Sequence, residues 1–184
     1  MTRYQGEIKP GDVLVTREGG WPWANLIRLG EAFAGTPSMC NHVIVASHID
    51  DNGTFWGIEG RPGGVGDRDL SGPLSWPLTN ANNQQPKTDE QRARIVAAAR
   101  LFLGRPYDWQ GIAEDTREAL HMAWGIPLAR EWKDGEVPGH VVCSSFVDWV
   151  YEHEGLANPG GTKRTRMTTP GNWDRFMINK EWKP

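Results

Sequence analysis

The stretch Val141–Gly155, VVCSSFVDWVYEHEG, sets one of the chain's two cysteines at the head of an amphipathic pattern. Cys143, Phe146, Val147 and Val150 recur at helical spacing and share one apolar stripe, and Gly155 supplies a stop. Within this stretch Cys143 has two readings. It is a small hydrophobe at the edge of a packing face. Alternatively it is a thiol at a helix N-terminus, where unpaired N–H groups and the helix dipole favour a thiolate and can hold a developing oxyanion. Under both readings the helix needs a surface to lie against.

Strands are the best candidates for that surface. GDVLVT (Gly11–Thr16) is a β-branched run behind a Pro-Gly turn. NHVIVASHI (Asn41–Ile49) and TFWGIEG (Thr54–Gly60) flank the turn residues DDNG and make the clearest hairpin. Between them, Ala24–Phe33 carries Leu26, Ile27, Leu29 and Phe33 at roughly helical spacing, stopped by Gly35 and Pro37, while EGGWPWA reads as a glycine-hinged loop bearing Trp21 and Trp23. From Arg61 to Gln85 glycine, proline and asparagine predict mostly loop, with one short strand near Leu74–Leu78. Thr88 and Gln91 form a capping box that opens a helix with Ile95, Val96, Ala99 and Phe102 on one face, ended by Gly104 and Pro106. Ala113–Gly125 reads as a further helix, PLAREWKDGEVPG as an exposed connection, and the tail after Gly155 has little periodicity. No repeat or linker divides the chain, so 1–184 is expected to be a single domain.

Composition narrows the function. With 38% hydrophobic and 23% charged residues over 184 positions, the chain can bury a sizeable core. A net charge of −3 gives no basic surplus for a phosphate-binding face, so nucleic acid is not an expected partner. No apolar run approaches the roughly 18 residues of a membrane span, and MTRYQGEIKPGD lacks the apolar region of a signal peptide. Two cysteines make no disulfide framework and suggest synthesis in a reducing cytoplasm. Ten tryptophans supply either core volume or a flat binding surface.

A thiol nucleophile needs a base. His42 lies in a predicted strand, with His48 six residues on and expected on the same face. His121 falls in a predicted helix, and His153 at a helix end where a cation is favourable for structural reasons. His140 directly precedes the cysteine helix, too close to serve as the partner.

AAARLFLGRPYDWQG followed by VVCSSFVDWVYEHEGL resembles the NlpC-type papain-like cysteine peptidases, which carry a Gly-x-Pro-Tyr segment before a Cys-Ser-containing helix. In the commoner members that helix precedes the Gly-Asp and His-Val strands. Here GDVLV and NHVIV come first, an order similar to the circularly permuted branch that includes lecithin retinol acyltransferase-like proteins. TTPGNW (Thr168–Trp173) resembles the Thr-Pro segment that closes permuted members. The resemblance implies an α+β papain-like fold, a small antiparallel sheet or barrel packed against helices, with no cofactor and no metal. It implies Cys143 as nucleophile, His42 as base, Glu59 on the following strand as the group that orients the imidazole, and Tyr107 as a donor to the oxyanion or substrate. The Cys143 N–H would be a second donor.

The expected reaction is amide hydrolysis through a thioester, in a peptidoglycan stem or cross-bridge peptide. Lipid or thioester acyl transfer, isopeptide cleavage, and a noncatalytic Trp-rich binding module are the alternatives. Without an export signal, a wall hydrolase would act from a phage particle or after lysis. The 35 residues between Tyr107 and Cys143 depart from the commoner pattern and would border the cleft.

Two points pull against this assignment. If Asn52 and Gly53 form a two-residue turn, Glu59 pairs with Ala46, which leaves His42 about 13 Å out of step along the strand; a different turn or a bulge would close the gap. Glu59 then has an ordinary reading as an exposed strand carboxylate, and Tyr107 one as a packing residue. Separately, Cys40 and His42 with His140 and Cys143 offer two Cys and two His to a zinc ion, though at spacings that miss the usual finger pattern.

Overall fold

Both β-branched runs lie in the interior of one five-stranded antiparallel sheet, in the order β4-β3-β2-β1-β5. The strands are β1 (Val13–Thr16), β2 (His42–Ile49), β3 (Phe55–Arg61), β4 (Gly64–Asp69) and β5 (Thr79–Ala81), and the helices α1 (Pro22–Phe33), α2 (Ser71–Ser75), α3 (Asp89–Arg100), α4 (Cys143–His153) and α5 (Pro170–Asn179). A computed structural model describes residues 7–19, 22–33, 37–76, 78–108, 138–139, 141–159 and 168–179. The predicted helix Ala113–Gly125 and nearly all of the connection after it lie outside these residues.

The sheet is buried on both faces, which is why its central strands read as continuous apolar runs. One face carries Val13, Val15, Val43, Val45 and Ile58, packed against Ile95 and Ala99 of α3, Phe146, Val147 and Val150 of α4, and Trp173 and Phe176 of α5. Each such side chain contributes roughly 1.5–3 kcal/mol when fully buried. A smaller cluster of Leu14, Ile44, Ala46, Leu70 and Ala81 covers the other face. The predicted α4 stripe, Cys143, Phe146, Val147 and Val150, is wholly buried.

Several expectations are corrected. Between Arg61 and Gln85 the chain forms β4, α2 and β5; the short strand is Thr79–Ala81, and Ser71–Ser75 is helical where the strand near Leu74 was expected to begin. Strand β4 has little apolar periodicity, but the open edge of β3 and the backbone of Arg105, which accepts from Val65 N–H at 2.9 Å, pair it. Helix α1 starts at Pro22, so Trp23 is helical rather than in a loop; Trp21 lies outside the described residues. The tail contains α5, buried through Trp173, Phe176 and Met177. Thr88 and Gln91 do form the capping box of α3.

The DDNG turn has three loop residues rather than two. Gly53 N–H donates to Asp50 O at 2.9 Å, and Gly53 takes a φ of 81°, a conformation that glycine adopts without strain. A bulge between Ala46 and His48 shifts the register again, so Glu59 stands opposite Ile44. The same bulge turns His48 off the His42 face, and His48 pairs with and stacks on Trp56.

Candidate active site

Cys143 opens α4, and the chain reaches it through Val141, which bridges in parallel to Tyr107. Asp108 N–H donates to Val141 O at 3.1 Å, so the GRPY segment and the approach to α4 run side by side. That pairing brings the Tyr107 hydroxyl onto Cys143, where it meets both the side chain and the backbone N–H. Val142, the residue before the helix, has no polar side chain; Ser145 Oγ instead reaches back to accept from Val142 N–H at 3.1 Å. The first-turn N–H groups of α4 therefore receive no cap from Val142, as a site for a developing negative charge requires.

His42 heads β2 and stands between Cys143 and Glu59. Its Nε2 lies 2.7 Å from Glu59 Oε2, which leaves Nδ1 as the nitrogen for the Cys143 sulfur, with which the ring is also hydrogen-bonded. Burial opposes charge on this ring, but the hydrogen bonds to Cys143 and Glu59 and the negative charge on both outweigh it and push His42 up to about 10. An imidazolium at the sulfur is the setting in which a thiol acts as a nucleophile. Burial, followed by the charge of Cys143, pushes the Tyr107 hydroxyl well above its ordinary range, so it stays protonated and able to donate. A Cβ at Gly60 would lie 3.5 Å from Cys143 Cα and 3.6 Å from the Tyr107 ring, ordinary contact distances that show how closely β3 passes the start of α4.

All four residues singled out in the sequence thus meet at one place, and all are buried: Cys143 is 2% exposed, His42 6%, Glu59 3% and Tyr107 9%. Glu59 is not the exposed strand carboxylate of its ordinary reading. His153 ends α4 stacked on Trp149, and His121 and His140 lie outside the described residues.

Sequence reasoning missed Glu18, Arg61 and Arg68. Arg61 Nε pairs with Glu59 Oε1, Arg68 Nη1 donates to Glu59 Oε2 at 2.9 Å, and both guanidinium groups meet Glu18 Oε1. Arg68 lies on the unrecognised strand β4, and Glu18 follows β1 in a segment without periodicity, so neither carried a usable signal. Among the described residues, Glu18, His42 and Glu59 form a cluster with ligand atoms within 4.8 Å of one another. Arg61 and Arg68 already form ion pairs with both of its carboxylates, and Cys143 takes the other side of His42, so the positive charge a metal would bring is in place. Of the alternative zinc set, Cys40 belongs to the main core and, among the described residues, forms no such cluster with His42 and Cys143; His140 lies outside the described residues. Neither cysteine is in a disulfide.

No family model and no curated protein matches the chain. What the geometry places together is a thiol at a helix start, an imidazole, a carboxylate and a phenol, a set able to serve as nucleophile, base, orienting group and donor. Among the described residues no helix is long and apolar enough to cross a membrane.

Proposed function

We propose that the chain is a cysteine hydrolase of the circularly permuted NlpC-type, papain-like class, cleaving an amide bond in peptidoglycan stem or cross-bridge peptides. The observation that carries this reading is His42 held between Cys143 and Glu59, with its Nε2 2.7 Å from the carboxylate. The five-stranded antiparallel sheet, with Cys143 at the start of a helix packed on it, supports the fold assignment. The substrate class comes from the resemblance of GRPY, VVCSSF and NHVIV to that family.

In this reaction the Cys143 thiolate attacks the amide carbonyl carbon, and the oxyanion is held by the Tyr107 hydroxyl and the Cys143 N–H. His42 gives its proton to the leaving amine as the C–N bond breaks, leaving a thioester on Cys143. Water then adds to the thioester with His42 accepting its proton, the carboxylic acid departs, and the thiolate and imidazolium are restored. Glu59 keeps the ring oriented and stabilises its charged form. Delivery from a phage particle or by lysis is part of the same reading.

Purified peptidoglycan incubated with the protein should lose turbidity and release peptide amines, and Cys143→Ala should do neither. Activity confined to acyl esters or thioesters in the same panel would redirect the reading to an acyl hydrolase or acyltransferase. Equal iodoacetamide labelling of Cys143 in the parent and in His42→Ala would overturn the enzyme reading and leave a binding module.

A further inference from the structure

The reaction as proposed uses Glu59 but does not explain why two arginines and a second glutamate surround it. Glu59 sits on β3, and its Oε2 accepts from His42 Nε2 of β2 at 2.7 Å and from Arg68 Nη1 of β4 at 2.9 Å, so this oxygen is gripped from both neighbouring strands. The other oxygen pairs with Arg61, two residues on along the same strand. Left alone with Arg61, a glutamate is free to turn both oxygens into the guanidinium fork, which accepts a carboxylate in bidentate fashion. That motion would carry Oε2 off the imidazole.

Arg68 is itself fixed. Its Nη1 also meets Glu18 Oε1, and its guanidinium lies 5.2 Å over the Trp76 ring. Glu18 is clamped in turn by Asn41, the neighbour of His42: Glu18 N–H donates to Asn41 Oδ1 at 2.8 Å, and Asn41 Nδ2 donates to Glu18 O at 3.0 Å.

We propose that Arg68 is a positioning residue of the thiol site, holding Glu59 Oε2 on His42 from an anchor made by Glu18 and Trp76. This inference rests on the cysteine-hydrolase reading above. It makes a prediction opposite in sign to that of a bystander charge. Among the described residues, the charged and titratable groups around His42 are Cys143 on α4, Glu59 and Arg61 on β3, Arg68 on β4, Glu18 after β1, and Tyr107 beside α4. As a nearby cation alone, Arg68 disfavours the imidazolium, and its removal would raise the His42 titration. As a positioning residue its removal loosens Glu59, and the titration falls.

The test uses the full chain with ring-¹⁵N histidine, the His42 signals being identified by their loss in His42→Asn, together with iodoacetamide alkylation of Cys143. In the parent the ring should titrate near 10, and alkylation at pH 7 should exceed that of His42→Asn at least ~tenfold. Arg68→Met should lower the His42 midpoint by about one pH unit and slow alkylation, with Arg68→Lys falling between. Glu18→Gln, which removes only the anchor, should move the midpoint the same way by less, and it keeps the question decidable if Arg68→Met does not fold. A midpoint unchanged or raised in these variants overturns the role of Arg68 while the hydrolase reading stands. A parent protein that alkylates no faster than His42→Asn defeats that reading and this inference with it.

Discussion

Glu59 meets His42 at 2.7 Å although the two residues are two positions out of register on neighbouring strands, Glu59 standing opposite Ile44. An offset of two residues is roughly 6.6 Å along the strand, and a diagonal pair of that spacing is within reach of a glutamate and a histidine. Without the bulge beside Ser47 and the third loop residue the offset would be twice as large, and the carboxylate would fall short of the ring. The interaction is an ion pair in which the carboxylate's charge helps hold the ring protonated. Glu59→Gln keeps an acceptor but removes that charge, so the His42 midpoint should fall by about one pH unit or more, and turnover should fall at least ~tenfold. Ring-¹⁵N titration of the variant checks this; a midpoint left near 10 would remove Glu59 from the site.

Tyr107→Phe deletes one hydroxyl and keeps the ring that packs beside Gly60 and Cys143. If the hydroxyl donates to the oxyanion, kcat should drop by about a hundredfold with KM little changed. The urea midpoint should stay close to the parent's, because the Tyr107–Val141 backbone bridge survives. Steady-state kinetics on released peptide amines separates these outcomes, and an unchanged kcat would return Tyr107 to a packing role.

The sequence carried the site's members more clearly than their spacing. Cys143, His42 and Tyr107 lie in elements with strong local signals, an apolar stripe, a β-branched run and a Gly-x-Pro-Tyr turn, but only the family resemblance carried by those elements in their order singles the three out as site residues. The His42–Glu59 register could not, because DDNG accommodates both two- and three-residue loops. The longer loop is selected by contacts that no pattern encodes: Asp50 Oδ1 accepts from the N–H groups of Asn52 and Thr54, each at 2.9 Å, and Asp50 Oδ2 from the Trp56 indole at 2.9 Å. Strand β4, GVGDRD, was illegible because β3 and the Arg105 backbone hold it rather than its own propensity. With it went Arg68. Helix α5 did leave a trace, since Trp173, Phe176 and Met177 fall at helical spacing, but the preceding Gly- and Thr-rich run hid it.

A second charged cluster, remote from the thiol, supports the fold instead of the chemistry. Lys87 Nζ and Arg92 Nη1 both lie on Asp12 Oδ1, at 2.7 and 2.9 Å, and the side chains of Asp12 and Lys87 are fully buried. Asp12 thereby ties the start of β1 to α3 and the segment before it. Asp12→Ala leaves a buried ammonium without its counter-ion and should cost about 3–5 kcal/mol in urea unfolding. The double variant Asp12→Ala with Lys87→Met should recover part of that loss. If the single variant unfolds at the parent's urea midpoint, the cluster is not a structural tie.

Glu31 gives the fold a pH dependence of its own. It joins α1 to the start of α5, where Gly171 N–H donates to its Oε1 at 2.7 Å, and it is 1% exposed. Burial raises this carboxyl to about 8; the Gly171 bond and Arg28 work against the rise, and the charge of Asp174 adds to it. Because the folded protein holds the proton more tightly than the unfolded chain, the Glu31 contribution to stability is whole below pH 4.5 and is lost as pH rises through about 8. His42 moves in the same sense in a later window, from 6.5 to about 10, so a single pH–stability curve mixes the two. Glu31→Gln separates them, since the amide still accepts from Gly171 N–H but cannot ionise. The variant should match the parent near pH 4.5 and exceed it increasingly up to pH 8, as measured by urea unfolding across that range. Parallel curves would mean that Glu31 is charged in the folded protein at neutral pH and that Gly171 and Arg28 outweigh its burial.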